Sequence, residues 1–168
     1  KISPDLFSYC CSFEKIDIPD SVTEIGSGAF KYCEMLEMVN LSNSITLIDN
    51  GAFSYCTSLQ NIDIPNSVTS LGSGYYCAGT FQGCKKLENI KLPKKLKHLG
   101  ENCFNGCVGL TRMTIPKTVV STGYYAGAFS GCTNMEKIEI EEGMKTIPEK
   151  LFEYGDGIKE IVFPDSVV

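Results

Sequence analysis

The chain has 168 residues, 43% of them hydrophobic and 21% charged, which is the composition of a globular protein rather than a disordered or fibrous one. Twenty acidic against fifteen basic residues leave a net charge of −5, which argues against a nucleic-acid partner, because phosphate contact needs a basic footprint. Apolar runs such as Ile161-Val162-Phe163 fall far short of the ~18 residues a membrane helix needs, so no membrane insertion is expected. No secretory leader is visible, but Lys1 is no natural start, so that observation does not bear on export.

Phenylalanine recurs at Phe7, Phe30, Phe53, Phe81, Phe104, Phe129 and Phe152, with spacings of 23, 23, 28, 23, 25 and 23 residues. Three positions after each Phe stands Cys10, Cys33, Cys56, Cys84, Cys107 and Cys132, with Gly155 in the last copy. Six positions after it stand Phe13, Leu36, Leu59, Leu87, Leu110, Met135 and Ile158. An apolar pair one residue apart follows, from Ile16/Ile18 through Ile90/Leu92 to Ile161/Phe163. Pro19, Pro65, Pro93, Pro116 and Pro164 close the pair in five of the seven copies; Ser42 and Glu141 stand in the other two.

Each part of the unit has a physical reading. The alternating pair sends two side chains inward and the residue between them outward, the period of a half-buried strand. Proline removes a ladder donor and ends that strand. Val22/Ile25, Val68/Leu71 and Leu96/Leu99 predict an extended segment returning to the core, and Gly26, Gly72 and Gly100 mark the next bend. The A-F-x-x-C segment is too short for more than a turn of helix or 3₁₀ structure. No single unit can bury its own apolar face, so successive units must stack.

Motifs such as Ile64-Pro65-Asn66-Ser67-Val68-Thr69 beside Gly51-Ala52-Phe53-Ser54-Tyr55-Cys56 resemble the BspA-like, or Treponema-type, leucine-rich repeats of about 23 residues, over the whole chain. The resemblance implies an α/β-type solenoid, a right-handed superhelix of about seven coils, with short parallel strands on one face and short extended segments and helical or 3₁₀ turns on the other. It further implies a cell-surface or secreted protein that binds other macromolecules and has no shared active site. The expected domain is one solenoid over residues 1–168, a fragment of a longer array, because both ends fall inside a repeat without a polar cap.

Cysteines one coil apart carry parallel side chains with Cβ atoms about 4.8 Å apart, whereas a disulfide prefers about 3.8 Å and converging vectors. Six column cysteines therefore read as buried reduced thiols, and Cys103, in a small-residue column with Ala29 and Ala52, joins them. Cys11 and Cys77 lie off the columns, either as exposed thiols or as a local bridge. A straight column does not converge on a metal, so neither metal nor cofactor is expected.

Catalysis looks absent. The single histidine, His98, lies between Leu96 and Leu99 and is expected to face solvent, with no nucleophile motif beside it. Glu14, Glu37, Glu88 and Glu136 form one outward column, which the repeat itself aligns. The outward positions of the strand face carry eight acidic and five basic residues and no aromatic, with Arg112 their only residue of the hot-spot types. Residues 85–98 hold six lysines against Glu88 alone, either a solvated run or a site for a polyanion such as a sulfated glycan.

The tyrosines divide into two groups. Tyr9, Tyr32, Tyr55 and Tyr154 stand two after the Phe, where Gly83, Gly106 and Gly131 stand in the other copies. Tyr75-Tyr76 and Tyr124-Tyr125 lie in the two lengthened repeats. Those pairs either cover the Gly83 and Gly131 gaps or form an aromatic patch open to a protein or sugar. The expected function is a non-enzymatic, adhesin-like recognition module, with partner contacts at Tyr75, Tyr76, Tyr124, Tyr125, Arg112, Glu88 and Glu136; an architectural spacer is the competing reading.

Overall fold

The computed structural model describes residues 1–73 and 78–168. Among these, twelve short strands follow in chain order: β1 (Lys15–Asp17), β2 (Glu24–Ile25), β3 (Met38–Asn40), β4 (Leu47–Ile48), β5 (Asn61–Ile62), β6 (Ser70–Leu71), β7 (Asn89–Ile90), β8 (His98–Leu99), β9 (Arg112–Ile115), β10 (Ser121–Thr122), β11 (Lys137–Ile140) and β12 (Glu160–Val162). The odd-numbered strands to β11, together with β12, are the predicted I-x-I segments and form the front of the coil. The returning segments pair as well, giving a second parallel sheet in the order β2-β4-β6-β8-β10, which Ile2 extends by bridging Ile25.

A third ladder runs along the turn. The Phe30 N–H donates to the Ala52 carbonyl at 2.8 Å and the Tyr32 N–H to Ser54 at 2.8 Å, a pattern repeated when Phe81 donates to Cys103 at 2.8 Å. Main-chain hydrogen bonding therefore links neighbouring coils on three sides, as stacking of units that cannot fold alone requires. Seven front strands bound about six complete turns.

The turn differs from expectation: among the described residues there is no helix and no 3₁₀ segment. The reason is two left-handed residues flanking the Phe. Two positions before it, Asp5, Gly28, Gly51, Asn102 and Lys150 have φ between 51° and 64°. Two positions after it, the Tyr and Gly column has φ between 57° and 73° at all seven sites. A right-handed helix cannot pass through such a residue, so each turn is held to isolated i→i+3 hydrogen bonds such as Cys33 N–H to Phe30 at 3.2 Å.

Inside the coil, Phe30, Phe53, Phe81, Phe104 and Phe129 are fully buried and stack face to face, with centroids 5.3–5.7 Å apart. Each column cysteine from Cys33 to Cys132 aims its Sγ at the Phe carbonyl of the coil before: Phe7, Phe30, Phe53, Phe81 and Phe104, at 3.0–3.2 Å. A protonated thiol donates there, and burial holds the proton on, pushing Cys33 and Cys132 up to about 11 and Cys56, Cys84 and Cys107 higher still. Cys103 is also buried and its thiol pushed up by burial, while Cys11 is a free, exposed thiol. Cys77 lies outside the described residues.

Candidate functional site

The front face is not one sheet. Its strands pair in the order β1-β3-β5-β7, stop, and resume as β9-β11-β12. Across the intact pairs the side chains match too: Asn40 donates to Asp17 at 2.5 Å and Asn89 to Asn61 at 3.3 Å. No such pair bridges β7 and β9 among the described residues. Cations stand on both sides of the seam, Lys91 and Lys94 on one and Arg112 on the other.

A groove of about 450 Å³ lies along this seam. Its floor is Ile90, Leu92, Met113 and Pro116, and its walls carry Lys91, Lys94, Arg112 and Lys137 against Glu139 and Glu141. Ile90 is 9% exposed at this edge, whereas its counterparts Ile62 and Ile138 are 3% and 0%. Both carboxylates are engaged. Glu139 sits 2.7 Å from Lys137, which lowers the Glu139 pKa and raises that of Lys137 through their shared hydrogen bond, and Glu141 accepts the Lys117 N–H at 2.9 Å. Arg112 is only loosely paired, 4.0 Å from Glu136. The groove is therefore a positive spot on a chain of net charge −5.

A second surface is built by the second insertion. Tyr124 and Tyr125 meet edge to face at 4.7 Å, are 62% and 42% exposed, and stand beside the next coil, where Lys150 lies 5.3 Å from the Tyr124 ring. Tyr124 borders a hollow of about 390 Å³ with Val120, Thr122, Pro148 and Lys150. The atoms nearest a Cβ on Gly131 would be those of Gly106 and Asn105, so neither ring takes the place of a column tyrosine there. Glu101, missed in the sequence, organises this loop. Buried at 4% exposure, it accepts the Tyr125 N–H, and its side chain fills the space that a Cβ on Gly123 would need. A carboxylate one residue after a bend glycine, beside an insertion one coil later, was the available signal.

The predicted site residues thus divide. Arg112 and Glu136 come together on the front, and Glu88 is exposed on the same face, immediately before β7. Tyr124 lines a different hollow, with Tyr125 against its ring, and Tyr75 and Tyr76 lie outside the described residues. His98 corrects one expectation: it is half-buried, with Nδ1 2.9 Å from Ser121 Oγ, because the returning segment pairs into the second sheet instead of lying open. Burial lowers its pKa. Among the described residues no group of three or more His, Cys, Asp or Glu is placed to hold a metal, and no helix is long and apolar enough to cross a membrane.

Parallel strands every coil, a phenylalanine spine and a turn pinned by left-handed residues define a β-solenoid of the leucine-rich repeat class. The chain belongs to the BspA type leucine rich repeat family, whose model matches residues 1–79 and 77–168, with six copies of the repeat. A leucine-rich repeat protein from Bacteroides ovatus is similar over 99% of this chain and 42% of its own, at 28% identity and a TM-score of 0.82. The T. pallidum leucine-rich repeat protein TpLRR matches 98% of this chain and 63% of its own, at 24% identity and a TM-score of 0.60. The pneumococcal vaccine antigen PcpA matches 92% of this chain and 40% of its own, at 22% identity and a TM-score of 0.56. The chain spans about two fifths of the first of these and three fifths of the second. No curated protein matches it.

Proposed function

We propose that this solenoid is a non-enzymatic recognition module of a cell-surface or secreted protein, binding another macromolecule, protein or glycan, in the manner of an adhesin. The observation that carries the reading is the seam groove. A spacer needs only uniform coils, whereas here the front sheet breaks and a groove of about 450 Å³ opens at the break, lined by an arginine whose charge is loosely paired. Arg112, with Glu88 and Glu136 beside it, forms the primary contact. The Tyr124–Tyr125 pair, with Tyr75 and Tyr76 in the companion insertion, supplies a second one.

The test is saturable binding of the chain to arrayed glycans and immobilised extracellular-matrix proteins at physiological salt, comparing wild type with Arg112→Ala and with Tyr124→Ala/Tyr125→Ala. Binding that weakens in either variant, with the circular-dichroism melt unchanged, supports recognition. Absence of saturable binding, or binding indifferent to both, returns the chain to the spacer reading.

A further inference from the structure

We infer that the seam between β7 and β9 takes an extended peptide segment in which acidic and apolar residues alternate. The inference rests on the recognition reading above and names its ligand.

Three observations converge on this chemistry. First, both walls of the seam are strand edges, since β7 closes one sheet and β9 opens the next; an edge is a template for another extended chain, and main-chain hydrogen bonding supplies affinity without sequence demand. Second, the floor is apolar, formed by Ile90, Leu92 and Met113 and closed by Pro116. Third, the cations stand on the rim: among the described residues Lys91 and Lys94 have no ion-pair partner and Arg112 is only loosely paired, 4.0 Å from Glu136, whereas Lys137 is neutralised by Glu139 at 2.7 Å.

An extended peptide sends successive side chains to opposite faces, so one laid along the seam presents one set to the floor and the other to the rim. Apolar residues suit the first and carboxylates the second. A sulfated glycan would satisfy the cations but leave the apolar floor and the strand edges without complements, so the peptide is the ligand the groove fits better.

The probe is a fluorescein-labelled peptide of about eight residues alternating Glu and Val, titrated by fluorescence anisotropy against the intact chain. Saturable binding is expected, weakened at least about tenfold in Arg112→Ala or Lys94→Ala, the usual effect of losing a charge-assisted hydrogen bond. Lys15→Ala, a cation of the same face away from the seam, should leave it unchanged. The same peptide with alternate N-methylated amides should bind markedly more weakly, because it cannot complete a strand ladder.

Equal binding of the methylated peptide, or an affinity for sulfated dextran above that for the peptide in an Arg112-dependent manner, overturns the peptide assignment in favour of simple polyanion capture. Failure of the peptide to bind, while array binding still depends on Arg112, refutes this ligand and leaves the recognition reading standing. Failure of both refutes both.

Discussion

The coils before the seam and those after it share one repeat but solve it differently. Before it, the front sheet is unbroken from β1 to β7, and Tyr9, Tyr32 and Tyr55 stack at 4.7 Å along the turn. After it the front sheet restarts, and the same turn position is held by Gly106 and Gly131 before Tyr154 returns a ring; the glycines begin one coil earlier, at Gly83. A tyrosine forced into left-handed φ carries strain of about 1–2 kcal/mol, which stacking offsets, whereas glycine adopts that conformation freely and contributes no stack. The turns at Tyr9, Tyr32 and Tyr55 are braced by stacked rings, and those at Gly83, Gly106 and Gly131 by backbone permission. The second sheet, the turn ladder, the phenylalanine spine and the Cys107 thiol bonded to the Phe81 carbonyl still cross the seam.

The largest expected effect comes from what both regions share. Six buried thiols (Cys33, Cys56, Cys84, Cys103, Cys107, Cys132) keep their protons in the folded chain well above the ordinary cysteine value of 9.0. Below that value both states are protonated and stability is unaffected. From about 9 up to about 11 the unfolded chain sheds protons that the folded one retains, so stability falls as pH rises, by about 1.4 kcal/mol per unit for each thiol. Urea melts between pH 8 and 10.5 should show this loss, and Cys84→Ala should flatten the slope; a pH-independent midpoint would mean the thiols are not the groups that titrate.

Next comes the spine. Phe81→Ala, beside the seam, and Phe30→Ala, among the ring-braced turns, should each cost about 3–5 kcal/mol. Calorimetry should separate them, with one transition for Phe30→Ala and two for Phe81→Ala, since the latter weakens one of the few remaining links between the regions. A loss below about 1 kcal/mol for either would remove the phenylalanine column from its place as the spine.

Smaller still is the turn position itself. Tyr32→Ala keeps the left-handed strain and loses both neighbouring rings, for about 2 kcal/mol. Gly106→Ala should cost about 1 kcal/mol although its Cβ would meet nothing nearer than the Gly83 Cα at 4.0 Å, and Gly106→Asn much less, because asparagine tolerates this conformation. If alanine and asparagine behaved alike at Gly106, backbone conformation would not explain the difference between the regions.

The columns of Phe, Cys and the I-x-I pair were legible in the sequence because each is a local period repeated many times. The left-handed turn was legible only in hindsight. Glycine replacing tyrosine in one column is what a positive φ selects, but the rings drew attention to bulk instead of backbone. The seam was not legible. Ile90-Lys91-Leu92-Pro93 and Met113-Thr114-Ile115-Pro116 fit the same pattern as every other strand. The break is a relation between two neighbouring coils, which no single unit contains. Glu101 escaped for the same reason, since its partner lies in the insertion of the following coil.

The sulfur column also bears on how the chain fails. In the native coil the thiols stand one strand spacing apart with parallel side chains, a geometry that resists pairing. Once the coils unfold, their buried thiols become accessible, and nothing in the unfolded chain selects among the bridges an oxidant can make. Each bridge holds the chain in a loop the solenoid cannot accommodate. In an oxidising compartment, lifetime is therefore set by how rarely the coil opens, while with a reductant present the same opening is harmless and reversible.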